Sequence, residues 1–176
     1  MNTKIITFAI DAHEKANHLY DHKPYSVHLA IVVGYAQKYI HLLPENLQED
    51  VISACWLHDT IEDCRLTYND LVREINTNVA EIVFAVTNEK GKNRKERANA
   101  KYYEGIRNIA GAIFVKLCDR LANVKYSKDT NSRMLEVYKT EYSEFINALF
   151  PHNLSNDTEK VLYFPLLKDL EEIINS

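Results

Sequence analysis

The sequence predicts an all-α fold of about seven to nine helices in one domain. Three observations point there. Four glycines and four prolines in 176 residues are too few turn signals to punctuate an all-β chain. Apolar residues recur at helical spacing in several segments. Thr67 with Asp70, Asn78 with Glu81 and Asn156 with Glu159 each set a capping oxygen three residues before a carboxylate, the pattern of a helix start. The length supports one full core and is short for two domains of ordinary size. Residues 1–176 therefore read as a single domain, with no repeat, low-complexity tract or linker.

The elements follow in order. Val27, Ile31 and Tyr35, with Ala30 and Val33, form a helical stripe that also carries His28, whose i+3, i+4 and i+7 neighbours are Ile31, Val32 and Tyr35. Its imidazole should face the core. Pro44 before Glu45-Asn46 marks a helix start, and the apolar run Val51-Ile52-Ser53-Ala54-Cys55-Trp56-Leu57 leads into His58-Asp59-Thr60-Ile61-Glu62-Asp63. Leu71, Val72 and Ile75 mark the helix that Thr67 caps, and Ile113 to Val124 reads as another, largely apolar helix. Pro165 should kink or end a helix near Phe164.

Several function classes are disfavoured. A net charge of -4 gives no general drive toward nucleic acid or anionic membrane. The longest apolar runs fall far short of the ~20 residues that span a bilayer, and no basic lead-in or cleavage pattern marks a secretory signal. Cys55, Cys64 and Cys118 form no CxxC pair, and Cys55 and Cys118 read as small core residues. A cytoplasmic protein is expected.

The chemistry concentrates at residues 58–63, one imidazole and three carboxylates directly after an apolar run. Unpaired buried carboxylates cost several kcal/mol each, so such a cluster argues for a cation or reacting group that compensates it. If the helix through Trp56 continues, His58 and Glu62 share one face while Asp59 and Asp63 share the next. Asp119 is a second carboxylate set in an apolar helix, with Asn123 one turn on. Two imidazoles and two carboxylates suit a divalent first-row metal, manganese or iron rather than a closed structural zinc. Glu62 and Asp63 would remain as spare carboxylates to orient water or move its proton. Against this, a lone His on an apolar face is more often a bonded core residue, and Asp119 beside Arg120 is compatible with an ordinary ion pair. His13, His18, His22, His41 and His152 read as surface residues.

These residues resemble the HD superfamily of metal-dependent phosphohydrolases, and within it the hydrolase domain of RelA/SpoT-type enzymes and small alarmone hydrolases. The resemblance runs from about Ala12 to about Leu149. It rests on Ala12-His13 leading to Lys23-Pro24-Tyr25-Ser26-Val27-His28, on Leu57 to Asp63, on Ala85-Val86-Thr87, and on Val115-Lys116-Leu117-Cys118-Asp119-Arg120-Leu121-Ala122-Asn123. It implies an all-helical HD-type bundle in which His28, His58, Asp59 and Asp119 bind a metal, usually Mn2+. It further implies Glu62 and Asp63 as the catalytic pair and Asn123 as a contact to substrate ribose or phosphate. Arg94, in Lys90-Gly91-Lys92-Asn93-Arg94-Lys95-Glu96-Arg97, resembles the basic residue that meets the pyrophosphate. This is the strongest basic cluster of an acidic chain, although such runs equally form solvated loops. Tyr142 resembles a pocket tyrosine, and its spacing to Phe145 also fits a core aromatic. In one departure, the stretch Asn17 to His22 has no arginine where the family stacks one on guanine, leaving His18 or Tyr20 for that task.

The function implied is removal of the 3′-pyrophosphate from ppGpp or pppGpp. The alternatives are an HD phosphohydrolase for a different nucleotide, which the missing arginine favours, and a module that holds metal and nucleotide without turnover. In each case the partner is a small nucleotide, not a nucleic-acid polymer or a membrane, and the oligomeric state is left open.

Overall fold

The structure, a computed structural model, describes residues 3–151 and 157–175; the expected cap at Asn156 and the position of His152 lie outside them. Helix α1 (Thr3–Lys15) buries Ile5, Ala9 and His13, which lie at i, i+4 and i+8 and so share one face. A short hairpin follows, β1 (Leu19–Tyr20) antiparallel to β2 (Lys23–Pro24), with Tyr20 opposite Lys23. Its turn residues Asp21 and His22 both have positive φ, 49° and 63°, as a two-residue hairpin turn requires.

Helix α2 (Ser26–Tyr39) buries His28, Leu29, Val32, Val33, Ala36 and Tyr39. The expected stripe is thus rotated: Val27, Ile31 and Tyr35 form its half-buried flank, and Ala30 is exposed. The reason is that α2 packs on two partners at once, α3 (Glu45–Leu57) and, further on, α9 (Ala112–Asp129). A 3-10 turn (Ile40–Leu42) and Pro44 separate α2 from α3.

The helix through Trp56 does not continue to Asp63. It stops at Leu57, and α4 (Thr60–Asp63) starts afresh after Asp59. Two side chains stabilise the break: His58 Nδ1 lies 2.9 Å from the Cys55 carbonyl, and Thr60 Oγ1 donates to the Leu57 carbonyl at 2.6 Å. Those carbonyls would otherwise be left without partners.

Thr67 caps α5 (Tyr68–Glu74) through the expected capping box with Asp70. Helix α6 (Thr77–Val86) is capped by Asn76, whose side chain accepts from the Val79 amide; Asn78 instead donates to Asp50, as Asn76 also does. The cap therefore sits two residues before the expected one, because Asn76 and not Asn78 has extended backbone at the helix entry. Then come α7 (Arg94–Arg97), α8 (Ala100–Asn108), α9, α10 (Met134–Leu149), α11 (Asp157–Leu162) and α12 (Phe164–Asn175). Pro165 lies in the first turn of α12, where its missing N–H costs nothing, and the break falls between Leu162 and Phe164. Among the described residues nine helices have seven or more residues. None is long and apolar enough to cross a membrane.

Helix α9 is the axis of the bundle. It buries Ala112, Ile113, Phe114, Val115, Leu117, Cys118, Leu121, Ala122 and Val124, and packs against α2, α3, α6, α8, α10 and α12. Its entry is set by Gly111, at φ 87°, where an added Cβ would stand 2.5 Å from Val51 Cγ2 of α3. Both the left-handed backbone and the close helix approach demand glycine. Gly111→Ala should therefore destabilise the fold by about 2–4 kcal/mol, read from urea unfolding. A loss under about 0.5 kcal/mol would contradict the close approach.

Candidate metal centre and anion cleft

Three elements that meet at α9 deliver one cluster. Helix α2 supplies His28, the end of α3 supplies His58 and Asp59, and α9 supplies Asp119. His28 Nε2 and His58 Nε2 are 3.2 Å apart. Asp119 Oδ1 lies 3.4 Å from the first and 3.8 Å from the second, while Asp59 Oδ2 lies 3.7 and 3.0 Å from them. Ligand atoms of His28, His58 and Asp119 all fall within 4.8 Å of one another. Because the Cys55 carbonyl can only accept, His58 carries its hydrogen on Nδ1 and turns the Nε2 lone pair inward.

Such a convergence of lone pairs and carboxylates favours a shared cation, and two nitrogens with two carboxylate oxygens fit a divalent first-row ion. Neighbouring groups fix these side chains. Tyr25 donates a short hydrogen bond to Asp59 Oδ2. Lys116 Nζ holds Asp119 Oδ2 at 3.0 Å, and Asn123 Nδ2 holds its Oδ1 at 2.5 Å. Asn123 in turn accepts from Tyr20 at 3.1 Å. Burial works against the charged form of Asp119, but Lys116 and the imidazoles hold its carboxyl well below the usual range. Burial likewise opposes His58⁺, yet Asp59, Asp119 and the Cys55 carbonyl together outweigh it and push the imidazole up to about 9 while no cation is bound; a cation on Nε2 would take the place of that proton.

A cleft of about 730 Å³ opens beside this cluster, lined by Asp59 and Asp119 together with Arg94, Lys95, Arg97, Lys116 and Arg120. Glu62 and Asp63 stand in its wall, so the structure brings both to the cleft that Asp59 and Asp119 line, although on a separate short helix. Asn88 fixes Glu62 through its backbone N–H at 3.2 Å and its side-chain amide at 3.1 Å. Burial, then the charges of Asp59 and Glu62, pushes Asp63 up to about 7. Asn123 and Arg94 also line the cleft. Tyr142 does not line it; the residue is half-buried, and burial, then the charge of Glu171 on α12, raises its phenol above the usual range, while Tyr138, one turn earlier, lines the wall.

Other expectations are corrected. His13 is not a surface residue: it is 1% exposed and stacks on Tyr25 at 4.2 Å between ring centroids. The apolar face of α1 carries it inward. His18 is half-buried, stacked on Tyr25 at 4.1 Å, and Tyr20 packs on Tyr126 at 4.6 Å; neither lines the cleft. His22 and His41 are exposed. Asp119 does not pair with Arg120, whose guanidinium turns to Glu141. The sequence assigns no role to Lys116, Asn88, Tyr138 or Glu141, and to Arg120 only that of an ion-pair partner for Asp119. For Lys116 a signal existed, a lone cation inside an apolar helix three residues before Asp119.

The HD-domain family model matches residues 6–146. The chain belongs to the HD-domain family. Among its relatives, guanosine-3′,5′-bis(diphosphate) 3′-pyrophosphohydrolase of Vibrio cholerae is 27% identical over 183 aligned positions, which cover 96% of this chain and 25% of that protein. MESH1 of Danio rerio, which carries the same enzyme name, is 31% identical over 68% of this chain and 65% of its own length. This HD-domain chain thus spans a quarter of the first relative and just under two thirds of the second. A solved structure of a metazoan ortholog of SpoT, described as hydrolyzing ppGpp and acting in starvation responses, superposes with a TM-score of 0.70 at 20% identity. It covers 99% of this chain and 96% of that one. The all-helical fold is therefore that of the HD family.

The Asp63 shift has a readable consequence. Its folded pKa of about 7 lies above the ~3.9 of an unfolded aspartate, so folding favours the protonated form. That contribution is complete below the unfolded value and is lost as pH rises through the folded one. In chelator, Asp63→Asn should melt a few degrees above the parent at pH 8, at about 2–4 °C per kcal/mol. The gap should close toward pH ~4. Equal melting at both pH values would refute the assignment.

Proposed function

We propose that this HD-domain protein is a metal-dependent guanosine 3′,5′-bis(diphosphate) 3′-pyrophosphohydrolase, converting ppGpp to GDP, or pppGpp to GTP, with release of pyrophosphate. The observation that carries the reading is one cleft lined by Asp59 and Asp119, which cluster with His28 and His58 behind them, by the Glu62 and Asp63 carboxylates, and by the Arg94, Lys116 and Arg120 cations. The enzyme names of the relatives support the choice of nucleotide. Manganese suits the mixed nitrogen and oxygen donors. The free cysteines, Cys55, Cys64 and Cys118, suit a cytoplasmic setting.

When bound, a divalent ion lowers the pKa of water and polarises a phosphoryl oxygen. The chain's own residues do the rest. Glu62, fixed by Asn88, accepts a hydrogen bond from the attacking water. The water oxygen bonds to the phosphorus attached to O3′, and the P–O3′ bond breaks. Asp63, in the same cleft wall, takes the water proton and returns one to O3′. Asn123 meets the ribose or its phosphate and Arg94 meets the pyrophosphate, with Tyr138 lining the same wall.

One observation favours a second reading, hydrolysis of a different nucleotide. The hairpin has no arginine, and His18 and Tyr20 spend their faces on Tyr25 and Tyr126 instead of on the cleft. Product analysis with ppGpp and a nucleotide panel, with manganese and with chelator, separates the two. The expected result is manganese-dependent GDP and pyrophosphate. Asp119→Ala should lose cation binding and about 10³-fold in rate, whereas Glu62→Gln should keep the cation and lose about 10²-fold. Turnover of other nucleotides alone would select the second reading. No turnover of any of them with cation bound would refute both.

A further inference from the structure

Glu141 of α10 projects between two guanidinium groups. Arg94 Nε donates to Oε1 at 2.8 Å and to Oε2 at 3.1 Å, and Arg120 Nη1 reaches Oε2 at 3.4 Å. All three residues line the cleft that Asp59 and Asp119 also line. Arg120 is 7% exposed, and its plane is fixed by Phe145, 4.1 Å away, and Tyr138, 4.8 Å away. A buried guanidinium calls for a close anion, and 3.4 Å is long for a charge-assisted bond. Lys116, a half-buried cation of the wall, is committed to Asp119 at 3.0 Å.

Arg120 is therefore a rigid, desolvated cation with a weak carboxylate partner, facing a site built for phosphate. Carboxylate and phosphate are the two groups that a guanidinium fork receives alike. Glu141 can be displaced without being stranded, because its side chain is 30% exposed.

We propose that Arg120 and Arg94 form a clamp for the pyrophosphate group of the substrate, and that Glu141 occupies the clamp until a polyanion displaces it. This rests on the phosphohydrolase reading of the cleft and adds to it a second phosphate-binding arginine and an internal competitor. A polyphosphate carries enough charge to exchange with Glu141, and a single carboxylate or a monoester gains less by doing so. The clamp thus selects for the pyrophosphate end of a nucleotide rather than for its base.

The test is calorimetric titration of the chelator-treated full chain with inorganic pyrophosphate, which needs neither metal nor turnover. Glu141→Gln keeps the shape and removes the competing charge; it should bind pyrophosphate about tenfold tighter than the parent. Arg120→Lys, which keeps the charge but loses the fork, should bind about tenfold weaker. The gain from Glu141→Gln should largely vanish in that background. Unchanged, weaker or absent pyrophosphate binding by Glu141→Gln overturns the proposal, as does parental affinity in a folded Arg120→Lys. Should Arg120→Lys fail to fold, Glu141→Gln decides alone. A tighter Glu141→Gln together with no ppGpp turnover by the parent would sink the substrate assignment and leave the clamp standing.

Discussion

The site depends on the place where α3 ends. His58 Nδ1–H and the Thr60 hydroxyl take the carbonyls of Cys55 and Leu57, which would otherwise face the interior unpaired. The same hydrogen bond that ends the helix chooses the tautomer of His58 and aims Nε2 at His28. Because the backbone breaks there, Asp59 swings beside His58 instead of pointing along the next helical face. Helix termination, tautomer and ligand geometry are thus one event.

A second constraint comes from α9. Helices buried on nearly every side are expected to be apolar, yet this one carries Lys116, Asp119, Arg120 and Asn123 into the interior. Each is compensated: Lys116 and Asn123 by Asp119, Asn123 again by Tyr20, and Arg120 by Glu141 and two aromatic rings. The compensations link α9 to the hairpin and to α10, so the polar groups also help to fix the packing around the axis.

Much of this was legible in the sequence because it rests on local pattern. The scarcity of glycine and proline, the capping box at Thr67 and the start at Pro44 are short-range signals, and they foretold helices where helices occur. His28, His58, Asp59 and Asp119 stood out as polar groups on apolar segments. What periodicity could not show was the interruption after Leu57, since the residues that cause it look like a continuing helix until His58 and Thr60 find their carbonyls. Burial of His13 was hidden for a similar reason: only its stacking on Tyr25, twelve positions away, reveals what its face of α1 meets. Glu141 and Arg120 lie 21 residues apart, and no local rule joins them.

The close approach at Gly111 acts as a fulcrum. Helices α3 and α9 touch at Val51 and Gly111, and each then runs roughly 10–12 Å, at ~1.5 Å per residue, before presenting its ligands. Two lever arms of nearly equal length, pinned at one end, converge at the other. One inserted residue on either arm would turn its ligand by ~100° about the helix axis. Length variation is therefore tolerable in the segments that connect helices, but between Val51 and His58, or between Gly111 and Asp119, the residue count itself sets whether the two side chains meet.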